Sequence, residues 1–169
     1  WTGMRAPWVG TKNIWDLFLA LGRFDEALYQ EIKARKSSDW TPSFAAEVYA
    51  EVAQNRMYLT NLGKCTLSDA APVSNHVYSA YLPLLEQELS IINPKVIILF
   101  GNQVSSIFLR RSISVSQCRK QRFDVAIQEK SYPCFSVYYP VGNGRMNLGK
   151  SIEDLKWICE HMQFAGGTP

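Results

Sequence analysis

The clearest indication of fold class in this chain is the run Val96-Ile97-Ile98-Leu99-Phe100, which is followed directly by Gly101. These five residues are continuous, apolar and rich in β-branched side chains, as is typical of a β-strand. A strand without polar alternation is buried on both faces, as happens in parallel sheets that helices cover. We therefore expect a parallel sheet with Val96–Phe100 as one of its strands.

Strands and helices alternate along the chain on both sides of this run. Met57–Leu62 and Cys134–Tyr139 have the composition of two further strands, and Asn93-Pro94 ends the amphipathic helix that precedes Val96–Phe100. The predicted helices cover Ile14–Leu21, Asp25–Lys36, Pro42–Asn55, Val77–Ile92, Gly101–Leu109 and Lys150–Met162. This order predicts an α/β fold, specifically a three-layer α/β/α sandwich with a mostly parallel central sheet.

Length and composition indicate an ordinary globular protein. The chain has 169 residues, of which 47% are hydrophobic and 20% are charged, so we assign residues 1–169 to a single domain and 163–169 to its frayed tail. No apolar run reaches the roughly 20 residues that a membrane-spanning helix needs. We expect a monomer that does not associate with membranes.

The cysteines indicate a reducing compartment. Cys65, Cys118, Cys134 and Cys159 are scattered, and no C-x-x-C pair occurs. This pattern argues against a zinc ribbon or a redox dithiol and fits the reduced thiols of a cytoplasmic protein. No Walker loop, Ser–His–Asp order or metal-ligand cluster appears in the sequence, so we expect no metal site.

Positive charge is concentrated in one segment. The formal net charge is only +3, but five basic residues follow the predicted helix that ends at Leu109. They are Arg110, Arg111, Arg119, Lys120 and Arg122. The segment fits either a phosphate-facing patch or a solvated loop.

Polar residues follow each predicted strand, where open α/β sheets bind ligands. Asn61, Asn102 and the loop after Tyr139 are therefore expected to line one crevice. The loop Pro140–Gly149 contains glycines that let backbone N–H groups approach an anion, and Arg145 can pair with that anion. This pattern favours a ligand that carries phosphate, although Asn61 could equally be a structural residue that closes a turn.

Four segments in consistent order resemble the uracil-DNA glycosylase superfamily, and in particular its bacterial and archaeal branches. They are Thr2-Gly3…Ala6-Pro7-Trp8-Val9-Gly10, Tyr58-Leu59-Thr60-Asn61…Lys64-Cys65, Leu89…Pro94–Gly101 and Ser136-Val137-Tyr138-Tyr139-Pro140. The resemblance covers almost the whole chain. It implies a three-layer α/β/α domain that acts on a damaged base in DNA.

The resemblance also implies roles for individual residues. Trp8 stands where the family has an aromatic that stacks on the flipped base, the alternative being a tryptophan in the core beside Pro7. Asn61 stands where the family's asparagine reads the Watson–Crick edge of uracil. The expected contacts to the DNA backbone come from Lys64, Gly142, Asn143, Gly144 and Arg145, and the Val141–Met146 loop would lie near the minor groove.

Three departures from the family pattern bear on activity. The family's opening motif, which positions the attacking water, would precede Trp1. Tyr139 stands in place of the catalytic histidine, so it is expected either to substitute for it in part or to line the base pocket; the alternative is a core residue. Cys65 matches one ligand of the iron–sulfur members, but Tyr81 stands where another would be, so we expect neither a cluster nor any other cofactor.

The resulting hypothesis is a DNA-repair glycosylase that hydrolyses the N-glycosidic bond of uracil or another deaminated base by base flipping. A catalytically weak or inactive nucleic-acid-binding protein on the same fold is the main alternative. An α/β protein that binds a nucleotide or another small molecule is a third, and it explains the basic segment less well.

Overall fold

A computed structural model describes residues 7–9, 11–64 and 73–162, apart from the side chain of Asn143. Among the residues named above, Thr2, Gly3, Ala6, Gly10, Cys65 and the tail 163–169 lie outside these ranges. The described chain divides into two compact units. The first contains the residues up to Thr60 together with Pro140–Ile152, and the second contains Asn61–Tyr139 and the residues from Glu153 onward.

Three helices form the first unit together with the Pro140–Ile152 segment. They are α1 (Lys12–Ala20), α2 (Glu26–Ala34) and α3 (Pro42–Gln54). The predicted start signals are confirmed, because the Asp25 side chain accepts a hydrogen bond from the Leu28 N–H at 2.8 Å and Pro42 stands in the first turn of α3.

An aromatic cluster forms the core of the first unit. Trp15 is completely buried, and its ring centroid lies 5.9 Å from Phe18, 5.5 Å from Phe24 and 6.2 Å from Trp40. The other buried helical side chains are Ile14, Leu17, Leu28, Ile32, Phe44, Ala45, Val48 and Val52. Their spacing of three and four residues explains why each helix buries a single face.

The second unit contains the sheet that Val96–Phe100 predicted. Its strands are β1 (Ile97–Phe100), β2 (Arg122–Ile127) and β3 (Lys130–Val137), in the order β1-β3-β2. β1 pairs with β3 in parallel, with Ile97 opposite Cys134, and β2 pairs with β3 antiparallel. The α/β class is therefore confirmed, while the described part of the sheet has one parallel and one antiparallel pair and is not mostly parallel.

The helices of the second unit are α4 (Asn75–Ala80), α5 (Leu82–Ile92), α6 (Asn102–Phe108) and the later turns of α7 (Leu148–His161). α5 and α6 supply Leu85, Leu89 and Ile107 to one core cluster with Leu99 and Cys134. Phe135 follows Cys134 along β3 and contacts Trp157 of α7, with 6.3 Å between ring centroids. None of the described helices is long and apolar enough to cross a membrane.

One strand prediction was wrong, and one strand was not predicted. The segment Met57–Leu62 forms no strand; its apolar character is explained in part by Leu62, which is buried in the core of the second unit. The hairpin strand β2 was missed because its turn, Gln128-Glu129, lacks the glycine or asparagine that usually marks such turns. Gln128 nevertheless adopts the left-handed conformation, with φ 53°.

Two helix and strand boundaries also differ from prediction. The expected helix Val77–Ile92 is interrupted at Tyr81, because Pro83 cannot donate to the carbonyl of Ser79 and instead stands in the first turn of α5. β3 begins at Lys130, before the predicted start at Cys134, and contains Pro133. Pro133 pairs with Asp124 of β2, whereas β1 pairs only from Cys134 onward, so the missing N–H faces no second strand.

Candidate functional site

The carboxyl ends of β1 and β3 meet at one edge of the sheet, as the strand-end argument requires. The N–H of Gly101 donates to the carbonyl of Val137 at 2.8 Å. Gly101 has φ 86°, and a Cβ built on it would lie 3.3 Å from the Cβ of Tyr139. Only glycine fits comfortably at this point, where the chain passes close to Tyr139.

Tyr139 presents an unused hydroxyl at this edge. Its side chain is half-buried, and its ring lies 6.4 Å from that of Phe100 at 60°. Within the described ranges its hydroxyl forms no hydrogen bond. Burial raises the pKa of Tyr139 above the usual value of 10.0, so the group stays protonated and can donate to an anion at neutral pH.

Asn102, which was expected to line the crevice, uses its side-chain oxygen to hold a neighbouring loop. Its side-chain oxygen accepts a hydrogen bond from the Val115 N–H at 2.9 Å and so holds the loop after α6. The neighbouring Gln103 donates to the carbonyl of Val73 at 3.1 Å and to the side-chain oxygen of Asn75 at 3.0 Å. The bond to Val115 uses only the oxygen of Asn102, so its place in the crevice stays a prediction.

Asn61 is exposed, and the residues after it are fixed by packing. Leu62 is buried among the core residues of the second unit. A Cβ on Gly63 would lie only 2.8 Å from the ring of Tyr78, so the backbone approaches that ring closely. The carboxamide of Asn61 forms no hydrogen bond in the described part of the chain, which leaves both its donor and its acceptor for a ligand.

Lys64 forms an ion pair with Glu88 of α5. Each of these side chains is only 21% exposed. A phosphate contact by Lys64 would therefore compete with a carboxylate that already neutralises its charge. The assignment of Lys64 to the DNA backbone stays a prediction.

In the first unit, Trp8 is held in an unusual backbone conformation. Its φ is 64°, which is uncommon for any residue other than glycine. Its carbonyl accepts hydrogen bonds from Thr11, at 3.2 Å from the backbone N–H and 3.0 Å from the hydroxyl, while Tyr49 donates to the carbonyl of Pro7. The fold thus fixes this backbone firmly, as is typical of strained residues at functional sites.

The indole of Trp8 lies at the outer side of the aromatic cluster. Its ring centroid is 6.3 Å from Phe18, and the residue is only partly buried. A residue that merely filled the core would be enclosed as Trp15 is. Trp8 therefore keeps some exposed surface, which a stacking role requires.

The loop that follows Pro140 also belongs to the first unit. The side-chain N–H of Asn13 donates to the carbonyl of Pro140 at 3.2 Å, and Pro140 is fully buried. Gly142 has φ 57° and opens a 3₁₀ turn over Gly142–Asn147. Trp8 is bonded to Thr11, two residues before Asn13, so Trp8 and this loop are both anchored at the start of α1.

Two residues of the turn project into solvent. Arg145 is exposed and forms no ion pair with any described residue, and Met146 is 94% exposed. The N–H of Gly144 is used internally, since it donates to the carbonyl of Val141 at 3.0 Å. Of the predicted backbone contacts in this loop, the Arg145 side chain is therefore the better placed to meet an anion.

The predicted site residues are thus divided between the two units. Trp8, Gly142, Asn143, Gly144 and Arg145 belong to the first, and Asn61, Lys64 and Tyr139 belong to the second. The specific contribution of Asn13 was missed, because its partner is 127 positions away along the chain. No cluster of metal-ligating side chains occurs among the residues that the structure describes.

Comparison with known proteins identifies the family. The family model of the uracil DNA glycosylase superfamily matches residues 4–162, which is nearly the whole chain. The chain therefore belongs to that superfamily. No curated protein matches it.

Proposed function

We propose that this member of the uracil DNA glycosylase superfamily hydrolyses the N-glycosidic bond of uracil, or of another deaminated base, in DNA. Membership of the family supports action on DNA. The observation that carries the proposal is that Asn61 and Tyr139 both keep unused hydrogen-bonding groups. Polar side chains that a fold leaves unsatisfied and accessible are available to bind a ligand.

Asn61 would identify the base. A carboxamide offers one acceptor and two donors, which match the alternating N–H and carbonyl groups on the pairing edge of uracil. Trp8 would stack on the flipped base, whose extrusion from the helix costs a few kcal/mol. The anchored backbone of Trp8 fixes the position from which its indole would reach the base.

Tyr139 would act on the departing base. When water attacks C1′ of the sugar, the bond from C1′ to the base nitrogen breaks and the base leaves with the electron pair; the proton that the water loses then neutralises the base anion. The hydroxyl of Tyr139 would donate a hydrogen bond to the oxygen where this negative charge develops. Such a donor typically contributes about a hundred- to thousandfold in rate.

Arg145 and Met146 would contact the DNA. The exposed guanidinium of Arg145 would pair with a backbone phosphate, together with Gly142, Asn143 and Gly144 of the same turn. Met146, almost fully exposed, would enter the gap in the base stack that the extruded nucleotide leaves, as apolar wedges do in other DNA-binding proteins. Lys64 would leave its ion pair with Glu88 to contact a phosphate.

The architecture of the whole domain and its oligomeric state belong to the same proposal. We infer a single α/β/α domain with a larger, mostly parallel sheet than the three described strands form, working as a monomer in the cytoplasm without a cofactor. The contact of Phe135 with Trp157, opposite the cluster that contains Cys134, supports helices on both faces of the sheet.

The test is excision from oligonucleotides that contain uracil or hypoxanthine, single- and double-stranded. Asn61→Ala should lower kcat/KM for the preferred base by about a hundredfold, since a base-reading group is lost. Gln87→Ala, which removes another exposed carboxamide of the second unit, should leave it unchanged. Equal rates for both variants would contradict the assignment of Asn61.

A second candidate function is DNA binding without efficient cleavage. The specific observation in its favour is that the neutral Tyr139 replaces a histidine. Gel shifts with an abasic-site duplex, run beside the excision assay, separate the two. Tight binding without released base supports the second candidate. If the protein neither binds the duplex nor releases a base, both candidates are contradicted.

A further inference from the structure

The basic segment that follows α6 is largely neutralised within the protein. Arg119 pairs with Glu153 and Asp154, Lys120 pairs with Glu153, and Arg122 pairs with Asp124. These three basic residues are therefore not a free phosphate-facing patch. Two basic residues remain to be explained, Arg110 and Arg111.

Arg111 keeps an uncompensated charge. Its guanidinium lies 4.5 Å from the ring centroid of Phe123, and it forms no ion pair with any residue that the structure describes. The cation–π contact with Phe123 holds the guanidinium beside the ring, while its N–H groups stay available to donate. Arg110 pairs with Glu86 at 2.8 Å, but its side chain is 70% exposed, so that pair is weak.

Both arginines line a cavity of about 520 Å³ in the second unit. Ser79, Ser112 and Asn75 also face it, together with Ser106. The Ser79 and Ser112 hydroxyls form no hydrogen bond with described residues. Asn75 accepts from Gln103 through its side-chain oxygen, which leaves its amide N–H₂ group as a donor. No aspartate or glutamate is among the described residues that line this space.

We propose that this cavity binds a phosphate group, with Arg111 as the principal ligand and Arg110, Ser79, Ser112 and Asn75 as additional donors. Donors and positive charge, with no carboxylate among the described lining residues, select an anion rather than a cation. The planar fork of an arginine matches two phosphate oxygens. The volume of the cavity lies within the roughly 300–1,000 Å³ of small-molecule sites, so the cavity can hold a phosphate ester as well as the free anion.

The site is separate from the edge where Tyr139 lies. Its two arginines follow the end of α6, whereas Gly101, which contacts Tyr139, precedes the start of that helix. The seven residues of α6 span about 10 Å, so the arginines and Gly101 lie beyond opposite ends of the helix. The proposal therefore does not depend on base excision, and the phosphate can come from the DNA backbone or from a free nucleotide.

The first test uses inorganic phosphate and a deoxynucleoside monophosphate as probes, followed by backbone amide shifts of the isotope-labelled full chain. We expect saturable shifts at Ser79, Arg111 and Ser112 and an affinity about tenfold weaker in Arg111→Gln, because one charge-assisted pair is lost. Arg122→Gln, which removes an equal charge outside the cavity, should bind as the wild type does. Equal weakening in both variants, or no shifts at the cavity, would overturn the proposal.

Because Arg111→Gln also loses its contact with Phe123, Ser112→Ala serves as a second variant and should weaken binding without lowering thermal stability. The source of the phosphate is then decided with undamaged duplex DNA at several salt concentrations. If DNA is the source, Arg111→Gln should reduce the slope of log K against log salt by about one, and Arg122→Gln should not. Phosphate binding with an unchanged slope assigns the site to free nucleotides.

Discussion

The side chain of Asn13 donates a hydrogen bond to the carbonyl of Pro140 at 3.2 Å, across 127 positions of sequence. This bond ties the loop that carries Arg145 and Met146 to the beginning of α1, close in sequence to Trp8. Since Pro140 is fully buried, water has little access to its carbonyl. The bond therefore sets where the exposed turn begins.

Replacing Asn13 by alanine should loosen this turn and lower stability modestly. The lost hydrogen bond is worth about 1 kcal/mol, which corresponds to about 2–4 °C in Tm for a chain of this size. We expect KM for DNA to rise while kcat changes little, because the turn is proposed to hold DNA and not to react. Asn13→Asp, which keeps the shape but cannot donate, should behave like Asn13→Ala; wild-type KM in both would refute the positioning role.

Replacing Tyr139 by phenylalanine separates chemistry from packing. Its hydroxyl has no internal partner in the described chain, so Tm should stay within about 1 °C. The excision rate should fall by about a hundredfold, the usual effect of removing one donor to a developing anion. Tyr139→His, which restores the family's residue, should be at least as active as the wild type; equal rates for all three would remove Tyr139 from the reaction.

The pH dependence of the excision rate provides a second test of the Tyr139 hydroxyl. Because burial raises the pKa of Tyr139 above 10.0, the hydroxyl remains a donor through neutral and mildly alkaline pH and is lost only above its raised pKa. The wild-type rate should therefore fall at strongly alkaline pH. Tyr139→Phe should lack that decrease, with stability at each pH checked by circular dichroism.

A substitution at Met146 tests the base-flipping proposal without changing a residue that is proposed to act on the glycosidic bond. With 94% of its surface exposed, Met146→Ala should not change stability. The rate of base excision from double-stranded DNA should fall about tenfold. The rate from single-stranded DNA, which has no gap in a base stack to fill, should not change. Ile91→Ala, which removes another exposed side chain at 81% exposure, is the matched control and should affect neither substrate.

Local signals in the sequence predicted local structure well. Asp25 and Pro42 marked helix starts, and Val96–Phe100 gave a strand whose end meets that of β3. The failures are of a different kind. Met57–Leu62 has the composition of a strand, but a strand also needs a partner, and composition carries no information about partners.

The same reasoning explains which site features the sequence could indicate. Asn61 and Tyr139 stand near the ends of the apolar segments predicted as strands, and each keeps hydrogen-bonding groups without a partner in the described chain. Their roles in the site stay predictions. The hydrogen bond that Asn102 accepts, and the ion pairs of Lys64 with Glu88 and of Arg119 with Asp154, depend on partners at least 13 residues away along the chain. Periodicity and motif spacing report only on near neighbours, so these long-range pairs could not have been predicted.

The ion pair of Arg119 with Asp154 gives a final contrast between buried and exposed charge. Asp154 is completely buried and receives three hydrogen bonds of 2.8–3.0 Å from that guanidinium. Arg119→Gln would leave a buried carboxylate without its charge partner, so we expect a loss of about 3–5 kcal/mol in urea unfolding. Arg122→Gln breaks the exposed pair with Asp124, in which both side chains are at least half exposed, and should cost at most about 1 kcal/mol. A cost for Arg119→Gln no larger than that of Arg122→Gln would mean that water reaches Asp154, and that the pair does not fix the segment between α6 and β2 to α7.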